Sequence, residues 1–244
     1  MFGFNRNMFS LRKLFSHSTP PQIKYKKYAG YKYPAKLTVT QPRPISCEIE
    51  PYYTEYKDSA HFLAYIGNGL KPEIGTHRYF IEYDIMYGLK METDLAERNQ
   101  GFGELMRLMS LITMKENKLS EIKIESLLSA ISFHRKYFFE PDVEQNPFPI
   151  DILLKNIKND KTLPAQFRKE AMKLLEQHQD NFVKKVNLLV DEIMDRQFFT
   201  RRLLTTPDGY AYCTIPMRLK HSVVNRNKDF FNKLFKKHGI DYEI

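Results

Sequence analysis

The spacing of apolar and polar residues divides this chain into segments of two periods. From about residue 45 to 96 the period is two, which predicts strands. In "THRYFIEYDIMY" the residues Tyr79, Ile81, Tyr83, Ile85 and Tyr87 alternate with more polar neighbours, and "HFLAYIGN" is apolar and aromatic. The Gly and Pro of "GNGLKPEIG" mark a loop between them. "GLKMETDLA" either continues the Tyr79–Tyr87 strand or returns as its hairpin partner. The period changes across "RNQGFGELM". Phe102, Leu105, Met106, Met109 and Ile112 then recur at i, i+3, i+4, i+7 and i+10, which predicts an amphipathic helix over 101–116. "EIKIESL" predicts a short strand, and "SLLSAISFHRKYFF" a second helix that ends before Pro141.

Residues 147–196 read as helical, with Thr162 available to cap a helix that starts near Pro164. An apolar stripe from Leu174 to Ile193 is read first as core and otherwise as a homodimer contact. "YAYCTIPMRLK" returns to strand character, and its Pro216 suits an edge or a bulge. "NKDFFNKLFKKHG" closes the chain as a short basic amphipathic helix.

Composition narrows the classes. With 244 residues and 42% hydrophobic content the chain can bury a core as one large domain or one domain with an addition. No apolar run is long enough for a membrane-spanning helix. Cys47 and Cys213 are the only cysteines, so a disulfide framework and a thiolate zinc site are not expected, and a reducing compartment fits. The seven histidines are scattered, and no metal centre is expected. The expected location is cytoplasmic, or mitochondrial if the source is eukaryotic and the acid-free, Phe-rich residues 1–19 are a presequence.

The net charge of +9 is local. Residues 1–47 hold nine of the 38 Lys and Arg and none of the acids, leaving 29 basic against 29 acidic residues in the rest. Residues 1–44 are therefore read as a basic, partly disordered arm, 45–220 as the folded domain and 221–244 as a C-terminal helix. Tyr and Lys alternate in "QIKYKKYAGYKYP". They could stack on bases and pair with phosphates, but an extended arm over the body with its Lys side chains in solvent is preferred. Nucleic-acid or membrane contact through residues 1–47 is not favoured.

The chemistry concentrates where the period switches. A strand is followed by Arg98-x-x-Gly101-x-Gly103 and then by a helix. A helix start offers unpartnered N–H groups and partial positive charge, and glycines let the backbone approach a ligand. Together these make an anion site, typically for a pyrophosphate, to which Arg98 adds a charge-assisted contact. A P-loop is excluded, since Glu104 and Leu105 follow the last glycine, and so is a Rossmann fingerprint, which needs a third glycine.

"RNQGFGELM" resembles the Arg/Gln-x-x-Gly-x-Gly/Ala signature of the GNAT superfamily of acyl-CoA-dependent N-acyltransferases. Later segments follow in family order. "AISFHRKYFFEPD" looks like the family's helix and Tyr-x-x-x-Gly-Phe turn, and "YCTIPMRLK" resembles its last strand, displaced by the insert. The resemblance covers about 60–145 and 208–220. Three positions depart from it: the family's frequent asparagine falls at Leu127, its tyrosine at His134 and its turn glycine at Phe138.

The resemblance implies an α/β fold: a mixed, mostly antiparallel twisted sheet flanked by helices, with the helical insert 147–196 before the last strand. It implies an N-acetyltransferase that moves an acetyl group from acetyl-CoA to a primary amine by direct attack. The pyrophosphate is expected on the backbone N–H groups of Gln100, Gly101, Phe102, Gly103 and Glu104. The pantetheine arm is expected along Met91 to Thr93, whose backbone also polarises the thioester carbonyl. Glu82, Asp84 and Glu92 are candidate bases, which strand alternation sets on one face. His134 is the candidate proton donor to the leaving thiolate, with Tyr137, one turn on, in reserve. The alternatives are a GNAT-like protein that binds CoA or a partner without turnover, and an interaction protein acting through its basic arm.

Overall fold

The computed structural model describes residues 23–39, 45–52, 59–68, 74–93, 101–127, 130–142, 150–176 and 214–244. Among the described residues nine strands form one sheet: β1 (Lys24–Tyr28), β2 (Tyr31–Val39), β3 (Ile45–Pro51), β4 (Ala60–Asn68), β5 (Gly75–Glu82), β6 (Ile85–Thr93), β7 (Glu121–Leu127), β8 (Glu140–Pro141) and β9 (Thr214–Lys220). Their spatial order is β1-β2-β3-β4-β5-β6-β7-β9-β8. All neighbours are antiparallel except β6 and β7, which the helix α1 (Phe102–Glu116) connects as a crossover. The other helices of the described residues are α2 (Ile131–Lys136), α3 (Ile150–Asn159), α4 (Ala165–Glu176), α5 (His221–Arg226) and α6 (Lys228–Lys237). This is the mixed, mostly antiparallel sheet flanked by helices that the GNAT resemblance implies.

Burial along β5 alternates residue by residue. The inward set of the sheet includes Leu37, Cys47, Phe62, Ile66, Tyr79, Ile81 and Met86, and it meets Leu105, Leu108 and Ile112 of α1. α1 in turn carries α6 through Phe231 and Phe235. The expected amphipathic helix is therefore covered nearly all round. Glu104, Arg107, Ser110 and Thr113, its polar stripe, are buried as well. A helix sandwiched between a sheet and a second helix has no solvent face to spend polar residues on, so these four serve internal contacts.

Two expectations change. The boundary read at residues 44 and 45 falls inside the sheet. Residues 24–39 form a hairpin whose Tyr33 and Leu37 are core, with Tyr33 packed 5.0 Å from Phe62 between ring centroids. Asn117 at the end of α1 clamps it: Lys32 N–H donates to Asn117 Oδ1 (2.7 Å) and Asn117 Nδ2 to the Lys32 carbonyl (2.6 Å). The lysines misled the reading. On an edge strand Lys24, Lys26 and Lys27 face solvent, where charge protects an unpaired edge. Second, residues 79–87 are not one strand. The chain turns at Tyr83, whose φ is 54°, and "GLKMET" belongs to the returning β6, paired with β5 from Glu82↔Ile85 to Gly75↔Thr93.

Pro216 lies one position beyond the last rung of the two-residue edge strand β8, Pro141↔Met217. Its carbonyl accepts the Asp142 N–H at 2.8 Å, and with no N–H to return, the ladder stops there. The stripe read from Leu174 to Ile193 lies outside the residues whose side chains are described.

Candidate functional site

The parallel pairing of β6 with β7 is short. It runs from Ile85↔Glu121 to Gly88↔Ile124. A bulge follows at once, since Arg78 pairs with Lys90 and Tyr79 with Gly88, leaving Leu89 out of register. Beyond it, β6 continues to Thr93 against β5 alone and β7 continues to Leu127 against β9 alone. The two strands thus part after Gly88 into a wedge. Among the described residues, nothing pairs with the backbone groups of 89–93 that face it. Gly88 is the point of closest approach: a β-carbon there would stand 2.9 Å from Ile124 Cγ2 and 3.4 Å from His77 Nε2.

α1 opens at the same end. β6 runs out of the sheet at Thr93 and α1 begins at Phe102. Its N-cap, Gly101, has φ 86° and ψ 2°, the left-handed region, and supplies no side-chain cap. The first helical bond is Leu105 N–H to the Gly101 carbonyl at 3.0 Å, so the N–H groups of Phe102, Gly103 and Glu104 precede the ladder. Arg98 and Gln100 lie outside the described residues.

The Glu104 side chain is where this helix start is tied to the rest of the chain. It is 4% exposed. Oε1 takes His238 Nε2 and Lys237 Nζ, each at 2.6 Å; Oε2 takes the Tyr137 hydroxyl at 2.9 Å and Lys136 Nζ at 3.2 Å. The His238 bond leads the set of donors that hold the carboxyl well below its ordinary range against the opposing effect of burial. Lys136 and Lys237 keep more than half of their side-chain surface in solvent. Two exposed ammonium groups therefore border the positive end of α1, balanced by one buried carboxylate. Gly103, expected to face a ligand, sits against α2: a β-carbon there would lie 3.2 Å from Phe133 Cζ.

A second polar cluster lies one turn further along α1. Arg107, 1% exposed, reaches between α2 and β5. Its Nη2 is 3.1 Å from His134 Nδ1, and its guanidinium carbon stands 4.4 Å over the Phe139 ring. Burial and then the Arg107 charge push His134 down to about 2 and His77, on β5, to about 3. Both imidazoles are uncharged at neutral pH. His77 Nδ1 lies 3.3 Å from Ser110 Oγ.

The sequence candidates fall in different places. Met91 and Thr93 border the wedge. Glu92 is near it, pairs with Thr76 and forms an exposed ion pair with Lys90 at 2.8 Å. Glu82 and Asp84 flank the turn at the opposite end of the hairpin. Asp84 stands four residues before Gly88, roughly 13 Å along an extended strand, and its carbonyl holds Ser120 beyond the C-terminal end of α1. The turn at Tyr83 breaks the single-strand row and removes Glu82 and Asp84 from the wedge. Tyr137 is buried with its hydroxyl committed to Glu104, and burial and the Glu104 charge raise its pKa. Phe138 has φ 62°, in the left-handed region that glycine adopts most readily.

Arg107, His77, Lys237 and His238 were not singled out from the sequence. Arg107 carries no local signal of burial: it falls at i+3 from Glu104 on the stripe that continues through Ser110 and Thr113, which reads as a solvent face. His238 carries no such signal, because its partner is 134 positions away.

Among solved structures the chain is similar to an acetyltransferase of the GNAT family from Staphylococcus aureus Mu50, at 22% identity over 34% of this chain and 54% of that one, TM-score 0.30. It is similar to the PaiA N-acetyltransferase of Thermoplasma acidophilum in complex with coenzyme A, at 16% identity over 37% and 57%, TM-score 0.32. It is also similar to a GNAT family acetyltransferase of Elizabethkingia anophelis with acetyl-CoA bound, at 12% identity over 39% and 76%, TM-score 0.32. The chain spans a little over half the length of the first two. No protein-family model matches the sequence, and no curated protein does.

Proposed function

We propose that this chain is an acyl-CoA-dependent N-acyltransferase that transfers an acetyl group from acetyl-CoA to a primary amine. One observation carries the reading: the strands part after Gly88↔Ile124, at the end of the sheet from which β6 leads into the open N-terminus of α1. A substrate with an extended, amide-bearing arm and a pyrophosphate at its far end matches both features. The arm would pair with the free backbone edge of Met91 to Thr93 as an added strand does. The pyrophosphate would take the N–H groups at the start of α1, with Lys136 and Lys237 beside them.

The reaction follows from these parts. The amine lone pair forms the new C–N bond as the carbonyl π pair moves to oxygen. A backbone N–H of the β6 edge steadies that oxyanion. Collapse restores the carbonyl, sulfur departs with the C–S electron pair as a thiolate, and the proton left over on the new amide nitrogen passes through water to that thiolate or to solvent. An amine with a pKa near ~10.4 must first lose a proton. Glu92, the candidate acid near the wedge, would pass it to solvent. His134 is held uncharged, so its part is a hydrogen bond to the departing group, not a proton.

A binding protein without turnover is the second reading. The commitment of the Tyr137 hydroxyl to Glu104 favours it.

Isothermal titration with acetyl-CoA, wild type beside Gly101→Asp, tests the proposal. Aspartate tolerates a left-handed φ better than most residues, and its charge opposes the pyrophosphate. Micromolar binding by the wild type, weakened at least about tenfold in a folded Gly101→Asp, is the expected result. A folded wild type that binds no acetyl-CoA sinks the reading. Binding without acetylation of any amine in a broad acceptor screen selects the second.

A further inference from the structure

Arg107 is buried in the middle of α1 without an acid. Among the described residues no carboxylate pairs with it, and its Nε and Nη1 have no hydrogen-bond partner. A buried cation left in this state is costly, and a well-packed apolar side chain of similar volume would serve the fold as well or better. Its one hydrogen bond goes to His134 Nδ1 at 3.1 Å.

That bond has a fixed direction. A guanidinium has five donors and no acceptor, so Nδ1 of His134 accepts. A neutral imidazole that accepts at Nδ1 carries its proton on Nε2. An imidazolium would set N–H against N–H and charge against charge. We propose that Arg107 is a positioning residue: it fixes His134 as the uncharged Nε2–H tautomer, a standing hydrogen-bond donor for the group that leaves during acyl transfer. The last clause rests on the acyl-transfer reading; the tautomer does not.

His77 on β5 takes the opposite form. The Ser110 hydroxyl donates its single proton to the Met106 carbonyl at 3.1 Å, so its oxygen accepts from His77 Nδ1 at 3.3 Å. His77 Nε2 is left bare. It lies beside Gly88, at the last rung before the strands part. Among the described residues the charged and titratable groups around Arg107 are His134 of α2, Tyr137 at its C-cap and His77 of β5. The two imidazoles thus differ in kind. One offers a donor and the other an acceptor, and Arg107 keeps a second proton off both.

Nitrogen-15 NMR of the histidine-labelled full chain tests this directly, with His134→Gln and His77→Gln for assignment. The wild type should show His134 protonated at Nε2 and bare at Nδ1, unchanged across the range from about pH 5 to 8 in which free histidine titrates. His77 should show the reverse. In Arg107→Met, His134 should titrate or mix tautomers, and Arg107→Lys, which keeps a donor, should restore the wild-type signature in part. If Arg107→Met fails to fold, the wild-type spectrum still decides, since His134 protonated at Nδ1 near neutral pH overturns the assignment. The role in transfer is read separately. Arg107→Met should lower kcat roughly 10²-fold while acetyl-CoA affinity holds. An unchanged kcat, or a wild type that binds no acetyl-CoA, overturns that role and leaves the tautomer to the spectrum.

Discussion

Glu104 shows how far one side chain can depart from its place in a motif. In the sequence it is the residue that ends a glycine loop, of interest for its backbone N–H. In the structure its carboxylate gathers four donors from α2 and the C-terminal end of α6. A carboxyl held below its ordinary value of 4.5 stabilises the fold fully above that value, and the contribution is lost as pH falls through it toward the folded-state value. Glu104→Gln should therefore cost about 2 kcal/mol at neutral pH, with the deficit narrowing as pH falls below about 4.5. Urea unfolding of both proteins at neutral pH and near pH 3 checks this, and a deficit of the same size at both sinks it. Phe138 is a second case. A phenylalanine at positive φ is strained, and it is held there by its ring, which packs 5.1 Å from Phe230 and 5.7 Å from Phe231. At this turn the chain accepts backbone strain in return for an anchor under α6.

At the scale of elements, the periodicities locate β4, α1, β7 and α6, and they miss where the environment overrides composition. The Lys-rich stretch from 24 to 36 reads as a solvated arm because lysine dominates it. Yet Tyr33, Ala35 and Leu37 alternate on one face, and that face is core. The hairpin turn at Tyr83 is unmarked by glycine, so two strands read as one, and the acids on either side of it were aligned into a row that does not exist. The polar stripe of α1 reads as exposed because nothing local tells that His134 of α2 and His77 and Tyr79 of β5 will meet it. The hairpin makes a definite prediction. Truncation after residue 44 removes Tyr33 and Leu37 from the core and both Asn117 clamps, whereas truncation after residue 22 removes neither. The first protein should lose its cooperative thermal transition and the second should keep it. Equal melting of the two would mean that β1 and β2 contribute nothing to the core.

Over the whole molecule, the basic excess and the candidate site prove to be separate matters. The excess lies in residues 1–47, while the site draws on an evenly charged body in which Lys136 and Lys237 are placed by Glu104 and Arg107 by α1. The order of segments and the strand-to-helix switch were legible because they depend on local pattern. The two polar clusters were not, because each joins elements far apart in the chain.

The parting of β6 from β7 also bears on time. Amide protons are protected by the bonds they make, and in both strands beyond Gly88 every second one points into the wedge. Hydrogen–deuterium exchange should therefore find, within residues 89–93 and 125–127, slow amides facing β5 and β9 beside fast ones facing each other. Saturating acetyl-CoA should slow the fast set on β6 and leave the slow set as it was. The sheet would then exchange as one continuous body only while a bound ligand fills the gap.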